Sequence, residues 1–192
     1  MGILEGDRVY LFSQFTEFNQ PPAEILVELG YELQIDSLSL PKAEVTAESA
    51  LQATLARRIK LTPLTSEQAR REALVAPVLF AIAESLNLQL NIEYPLSGKR
   101  GKGNLDYLMR GRETLLVIEA KRDDLTRGFT QLAIEMIELA EATSGQCYGA
   151  VTTGNIWQFA VLDQQTIVQD LTLYRVPTDV PELLAVLTGI LG

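Results

Sequence analysis

The stretch Asn104-Leu105-Asp106-Tyr107-Leu108-Met109-Arg110-Gly111-Arg112-Glu113-Thr114-Leu115-Leu116-Val117-Ile118-Glu119-Ala120-Lys121 decides how this chain is read. Asn104 to Met109 reads as a short strand and Arg110 to Glu113 as a turn. Thr114 to Ala120 reads as a buried strand, because Leu-Leu-Val-Ile is apolar without alternation. A turn centred on Gly111 and Arg112 sets opposite each other residues whose numbers sum to about 224 or 225. Asp106 and Glu119 then become cross-strand neighbours. Glu119 and Lys121 lie two apart on one strand and share a face, while Ala120 points to the other. Two carboxylates and an ammonium are thus expected to converge where an apolar strand ends.

Working outward, Thr65 or Ser66 caps a helix running to about Leu86. Its apolar stripe is Leu74, Val75, Val78, Leu79 and Ile82, and Pro77 predicts a kink. Leu90 to Pro95 reads as a strand, and Ser97 to Gly103 as a flexible basic loop. Beyond the central hairpin, Asp124 to Thr143 reads as a helix with Leu132, Met136 and Leu139 inward. Gln146 to Thr152 and Ile156 to Leu162 are strands joined at Thr153-Gly154-Asn155; Thr166 to Arg175 is another, and Val180 to Leu191 a closing helix. Residues 1–62 form an N-terminal extension or small accessory subdomain. Within it a helix runs from Pro21 to Gly30, a strand or edge ribbon lies in Tyr31 to Leu40, and a second helix spans Ala47 to Ile59, with Leu51, Leu55 and Ile59 on one face. Residues 63–192 are then an α/β domain with a mixed central sheet flanked by helices.

Composition narrows the chemistry. The 192 residues are 47% hydrophobic and 21% charged, ordinary for a globular chain. There is no histidine and only one cysteine, Cys147. That excludes a Ser-His-Asp triad, a Cys-His pair and His- or Cys-rich zinc. Carboxylates, lysine, hydroxyls or an oxygen-ligated metal ion remain. No apolar run approaches the roughly 20 residues that span a bilayer, and Met1 to Arg8 lacks the pattern of a secretory signal. With a single cysteine, the expectation is a cytoplasmic protein without a membrane partner. The net charge is -9, yet Ser97 to Arg127 holds eight basic and five acidic residues. Half the positive charge falls on the stretch that carries the trio.

Two carboxylates a few ångströms apart repel, and a hard divalent cation such as Mg²⁺ relieves them, with Mn²⁺ as a substitute. Such an ion polarises a phosphoryl oxygen and lowers the pKa of a bound water. A neighbouring lysine positions that water or stabilises the developing charge.

Asp106, twelve intervening residues and Glu119-Ala120-Lys121 on an apolar strand resemble the PD-(D/E)xK nuclease superfamily, although Leu105 stands where the motif's name has proline. That superfamily's restriction endonuclease-like core is helix, three strands, helix, strand, the order read from about Thr65 to Leu162. Within it the chain is most similar to the N-terminal nuclease domain of type I restriction enzyme motor subunits, through Glu67, Arg71, Leu74 and Pro77 on the first helix and Thr153-Gly154-Asn155-Ile156-Trp157. The resemblance does not extend to the motor part, and the expectation is a stand-alone nuclease-type domain. The resemblance implies Mg²⁺-dependent endonuclease activity on DNA, with Asp106 and Glu119 holding the metal. Glu67, or alternatively Glu72, would be an accessory ligand, Lys121 would act on the water, and Gln131 would support the site, with Glu135 where some members have tyrosine. Lys99, Arg100, Lys102 and Arg122 would contact DNA phosphates. The alternative is a catalytically inactive protein of this fold serving as a nucleic-acid-binding or regulatory partner. A homodimer built on the N-terminal segment is a third reading.

Plainer roles stand beside these. Glu119 and Lys121 alone read as a salt-bridged strand edge, and Glu67 as a helix partner of Arg71. Gln131, Glu135 and Glu138 read equally well as a solvated face. Asp123 and Asp124 fit an N-cap and first turn, and Cys147 and Trp157 fit core packing.

Overall fold

In the computed structural model, which describes residues 2–45 and 48–192, the elements run β1 (Tyr10–Leu11), α1 (Pro22–Glu28), β2 (Glu32–Asp36), α2 (Glu48–Leu61) and α3 (Glu67–Arg70). After a π-helical turn (Arg71–Val75) come α4 (Ala76–Leu86), β3 (Leu90–Ser97), β4 (Gly101–Arg110), β5 (Thr114–Ala120), α5 (Leu125–Ala142), β6 (Gln146–Thr152), β7 (Ile156–Asp163), β8 (Thr166–Arg175) and α6 (Val180–Leu191). Ala47, read as the start of the second helix, lies outside the described residues. The strands form one mixed eight-stranded sheet in the order β1-β4-β5-β6-β7-β8-β2, with β3 also pairing with β4.

Strand β5 is an interior strand, between β4 and β6, because its apolar run serves both faces. Leu115 and Val117 join a core with α5, and Leu116, Ile118 and Ala120 join one with α4 and α6. A strand covered on both sides has no need of alternation. The β4–β5 hairpin pairs Tyr107 with Ile118, Leu108 with Val117, Met109 with Leu116 and Arg110 with Leu115, the register read from the turn. Helix α5 then carries the chain over the sheet so that β6 can pair parallel to β5.

Pro77 has no N–H to offer Ala73, its partner four residues back. The Ala73 carbonyl accepts instead from Arg58 Nη1 of α2 at 3.3 Å, and the π-turn precedes the proline at once. The basic loop is shorter than its sequence implies: β3 extends to Ser97 and β4 begins at Gly101. Gly101 and Gly103 belong to the strand because the Phe12 ring lies on them; a Cβ at Gly101 would fall 2.5 Å from it.

The segment before residue 63 supplies β1 beside β4 and β2 beside β8. Phe12, Phe15, Ile25 and Leu26 share the core of α5, and Leu55 that of α4. Among the described residues no helix is long and apolar enough to cross a membrane.

Candidate functional site

Beyond Tyr107 and Ile118 the hairpin strands part. In place of a further backbone pair, the Ala120 N–H donates to Asp106 Oδ2 at 2.8 Å. Asp106 and Glu119 therefore occupy the next position along, where the sheet opens. Their surroundings differ. Glu119 and Lys121 turn toward α5, as the alternation of β5 requires. Asp106 sits at an irregularity: Leu105 and Tyr107, which should share a face, join opposite cores. Its Oδ1 meets Arg71 Nη1 at 3.0 Å.

On the α5 side a chain of hydrogen bonds orients the site. Lys121 Nζ lies 2.6 Å from Glu119 Oε1 and donates to Gln131 Oε1 at 2.9 Å. Gln131 Nε2 in turn donates to Glu135 Oε1 at 2.8 Å. Lysine only donates, so Lys121 fixes the orientation of the Gln131 amide and turns its Nε2 to Glu135. Gly128 lets the Lys121 stem lie against α5, since a Cβ there would fall 2.6 Å from Lys121 Cγ. Asp124 caps the helix by accepting from Arg127 N at 2.9 Å.

Burial sets the electrostatics. Glu119 is 2% exposed and Glu135 fully buried; Oε2 of each has no N–H or hydroxyl donor among the described residues, and the two carboxyls lie within hydrogen-bond reach of each other. Burial, then the charges of Glu135 and Asp106, hold the Glu119 carboxyl well above the usual range. Burial likewise pushes Glu135 up to about 8. Two facing acids of this kind are stable when they hold a proton between them. Burial raises Asp106 to about 6, against the opposing pull of Arg71 and the Ala120 N–H. Burial alone would lower Lys121, but Glu119 outweighs it and the pKa is raised. Lys121 is an ammonium here, a donor and not a base.

Glu67 opens α3 and lines two cavities that flank the trio. One, of about 520 Å³, is walled also by Lys121, Arg122 and Arg127; the other, of about 460 Å³, by Arg71, Glu93 and Tyr107. Asp106 and Glu119 line neither, and lie behind Lys121 and Arg71. Glu67 is not bound to Arg71, which spans Asp106, Glu93 Oε1 at 2.7 Å and the Tyr107 hydroxyl at 3.5 Å. Glu72 is exposed and accepts from Gln68.

The other sequence-derived residues are dispersed. Arg122 stands at the larger cavity but pairs with Asp123 at 2.8 Å. Lys99 and Arg100 are not beside the trio. Their backbone amides, with that of Gly101, bind Glu138 at 2.8, 2.7 and 2.6 Å, and Lys99 Nζ pairs with Glu141 at 2.8 Å. Glu138 lies seven residues beyond Gln131 along α5, roughly 10 Å. Lys102 is exposed on β4 next to β1. Gln131, Glu135 and Glu138 thus form a buried polar stripe and not a solvated face. Cys147 and Trp157 are core residues, and burial pushes the Cys147 thiol up to about 12.

Sequence reasoning missed the Arg71–Asp106 pair, Glu93 and the anchoring by Glu138. It also missed Arg70, whose Nη1 donates to Thr153 O and Asn155 Oδ1 at 3.1 and 2.6 Å and so ties the first helix to the β6–β7 turn. Only the four-residue spacing of Gln131 and Glu135 hinted at their ladder.

The donor set is one of hard oxygens, the carboxyls of Asp106 and Glu119 at the parting of β4 and β5. No group of three acids able to hold a metal is gathered among the described residues. Mg²⁺ needs only one or two carboxylates, keeping water on its remaining positions. By donor type Asp106 and Glu119 suit such an ion, with Asp106 Oδ1 paired to Arg71 and its Oδ2 to the Ala120 N–H. A scan against protein-family models and a search of the curated proteins each found no match to this chain. What stands is an α/β fold with a mixed eight-stranded sheet flanked by helices and a buried acid–lysine site at the parting of two strands.

Proposed function

We propose that this chain is a metal-dependent phosphodiesterase acting on DNA, with a restriction endonuclease-like core similar to the nuclease domain of type I restriction enzyme motor subunits. The observation that carries the reading is Glu119: its Oε1 is held by Lys121, and it is buried where β4 and β5 part, at the position next to the Tyr107–Ile118 pair and within the influence of the Asp106 charge. The order helix, β3-β4-β5, α5, β6 supports it.

In this reading Asp106 and Glu119 would hold a divalent cation, with Glu67 in reserve at the cavity wall. When bound, such a cation polarises a phosphoryl oxygen and lowers the pKa of a water. Lys121 donates to the attacking water or to the phosphate, and stabilises the charge that develops there. Gln131 holds the ammonium in place. Arg122 and Arg127 stand where a phosphate backbone would approach, whereas Lys99, Arg100 and Lys102 would meet only a longer substrate.

The test is cleavage of plasmid and single-stranded DNA with Mg²⁺ or Mn²⁺, comparing wild type with Asp106→Ala and Lys121→Ala. The expected loss is about 10²-fold or more in each variant. Equal rates in all three, or none with either metal, would overturn the proposal.

One observation favours a second reading, a non-catalytic protein of this fold. Arg71 already neutralises Asp106, as Lys121 does Glu119. A Mn²⁺ titration separates the two, because a relic held closed by its own cations takes up no metal through Asp106.

A further inference from the structure

Glu93 has φ +54°, a left-handed backbone that a glutamate seldom adopts. It stands on β3 at the register position facing Asp106. The β3–β4 ladder pairs Ile92 with Tyr107 and Tyr94 with Leu105 but skips the pair between them. On the partner strand the alternation of side chains breaks at the same place. Backbone of this kind persists only where its surroundings impose it, and such places cluster at functional sites. The π-turn that begins at Arg71 is a second local irregularity, from another layer of the fold, aimed at the same point.

Arg71 connects them. Nη1 lies 3.0 Å from Asp106 Oδ1, and Nη2 lies 2.7 Å from Glu93 Oε1. The guanidinium also sits over the Tyr107 ring, 5.1 Å from its centroid. The two acids differ in setting: the Glu93 side chain is 50% exposed and that of Asp106 13%. The 460 Å³ cavity walled by Arg71, Glu93 and Tyr107 gives the guanidinium room to withdraw from Asp106 without leaving Glu93 or the ring.

We propose that Arg71 and Glu93 control access of a divalent cation to Asp106: Arg71 is the resident counter-charge that the cation displaces, and Glu93 is the acceptor that draws it away. Both are positioning residues, and the proposal rests on the metal-dependent reading. A bound cation and the Arg71 guanidinium compete for one carboxylate oxygen, since two positive charges at that distance repel. Glu93 lowers the cost of the exchange because Arg71 keeps a partner when it leaves. The two residues therefore act with opposite signs. Removing Arg71 frees Asp106 for the cation, whereas neutralising Glu93 leaves Arg71 with Asp106 as its one carboxylate.

The experiment is Mn²⁺ titration by calorimetry on wild type, Arg71→Gln, Glu93→Gln and Asp106→Asn, with urea unfolding of each in EDTA. Arg71→Gln should bind Mn²⁺ about tenfold more tightly than wild type while being less stable without metal. Glu93→Gln should bind more weakly, by roughly three- to tenfold, with little change in stability. Asp106→Asn should lose the site. A structural role alone would weaken binding in step with lost stability in both variants. Affinities that move together, or not at all, overturn the proposal while leaving the metal site standing. No Mn²⁺ binding in wild type and none in Arg71→Gln removes the metal reading and this proposal with it. Binding in Arg71→Gln alone would show a site that Arg71 keeps shut, and would overturn the exchange proposed here in favour of the non-catalytic reading. Glu93→Gln, being exposed, reports even if Arg71→Gln does not fold.

Discussion

Glu135 is the residue on which the balance of charge in the site turns. It is fully buried beside Glu119, accepts from Gln131 at Oε1, and meets the Glu119 carboxyl within hydrogen-bond reach. Burial lifts its pKa from an ordinary 4.5 to about 8, so the folded protein retains a proton that the unfolded chain releases. Asp106 does the same over a narrower span, from 3.8 to about 6. For an acid raised in this way the stabilising proton is in place below about pH 4.5 and is lost as pH rises through about 8. The melting temperature of wild type should therefore fall from about pH 5 to about pH 8. Glu135→Gln keeps the shape and an acceptor for Gln131 but carries no proton to lose, and should flatten the upper part of that fall. Thermal melts across this range check it, and parallel slopes in the two proteins would contradict the protonated pair.

At the scale of elements, α5 joins the site to the rest of the sheet. Its polar residues Gln131, Glu135 and Glu138 recur at helical spacing and all face inward. The first two hold Lys121, and the third receives three backbone amides from the β3–β4 turn. Glu138→Ala strands those amides, and should cost about 2–4 kcal/mol in urea unfolding, with Glu138→Gln recovering part. An unchanged midpoint would mean that the turn finds other partners. The β4–β5 register was legible because the turn and the Leu-Leu-Val-Ile run fix it locally. So were the bounds of α5 and β6, through capping at Asp124 and the change of period. The burial of the polar stripe was not legible. A helix lying on a sheet ordinarily leaves one face to water. Here residues 128–139 of α5 are buried all round: the polar stripe meets Lys121, Glu119 and the β3–β4 turn, Phe12, Phe15 and α1 pack against the helix as well, and neither docking leaves a periodic trace in α5 itself. Nor does anything in the sequence mark Glu93 for a left-handed backbone. Arg71 looked like a helical partner of Glu67 because spacing along one element is visible, whereas contact between layers is not.

Across the whole molecule, the basic stretch from Ser97 to Arg127 does not become a basic surface. Lys99, Lys121, Arg122 and Arg127 each lie within 3.5 Å of an acid, Glu141, Glu119, Asp123 and Asp124 in turn. Arg110 is drawn over the Tyr94 ring, 5.7 Å from its centroid. The exposed pairs are weak and can rearrange, but each arginine that turns to a phosphate leaves an aspartate beside that phosphate. The chain as a whole carries a charge of -9. Binding of DNA through released counterions needs cations that face outward unopposed, and few remain. A divalent ion at Asp106 and Glu119 would change this locally, by adding two positive charges where a phosphate would arrive. DNA affinity should therefore be conditional on metal. In EDTA at about 0.15 M salt a labelled oligonucleotide should show only weak binding, near the roughly 10⁻⁴ M end of non-specific contacts. Ca²⁺, a hard ion that accepts irregular oxygen ligands, should tighten it by about tenfold or more. Asp106→Ala should remove the gain without altering the binding seen in EDTA. Fluorescence anisotropy over a salt series measures all three. Tight binding in EDTA, unaffected by Ca²⁺ or by Asp106→Ala, would locate the contact with DNA away from the acid–lysine site and sever recognition from the chemistry proposed for it.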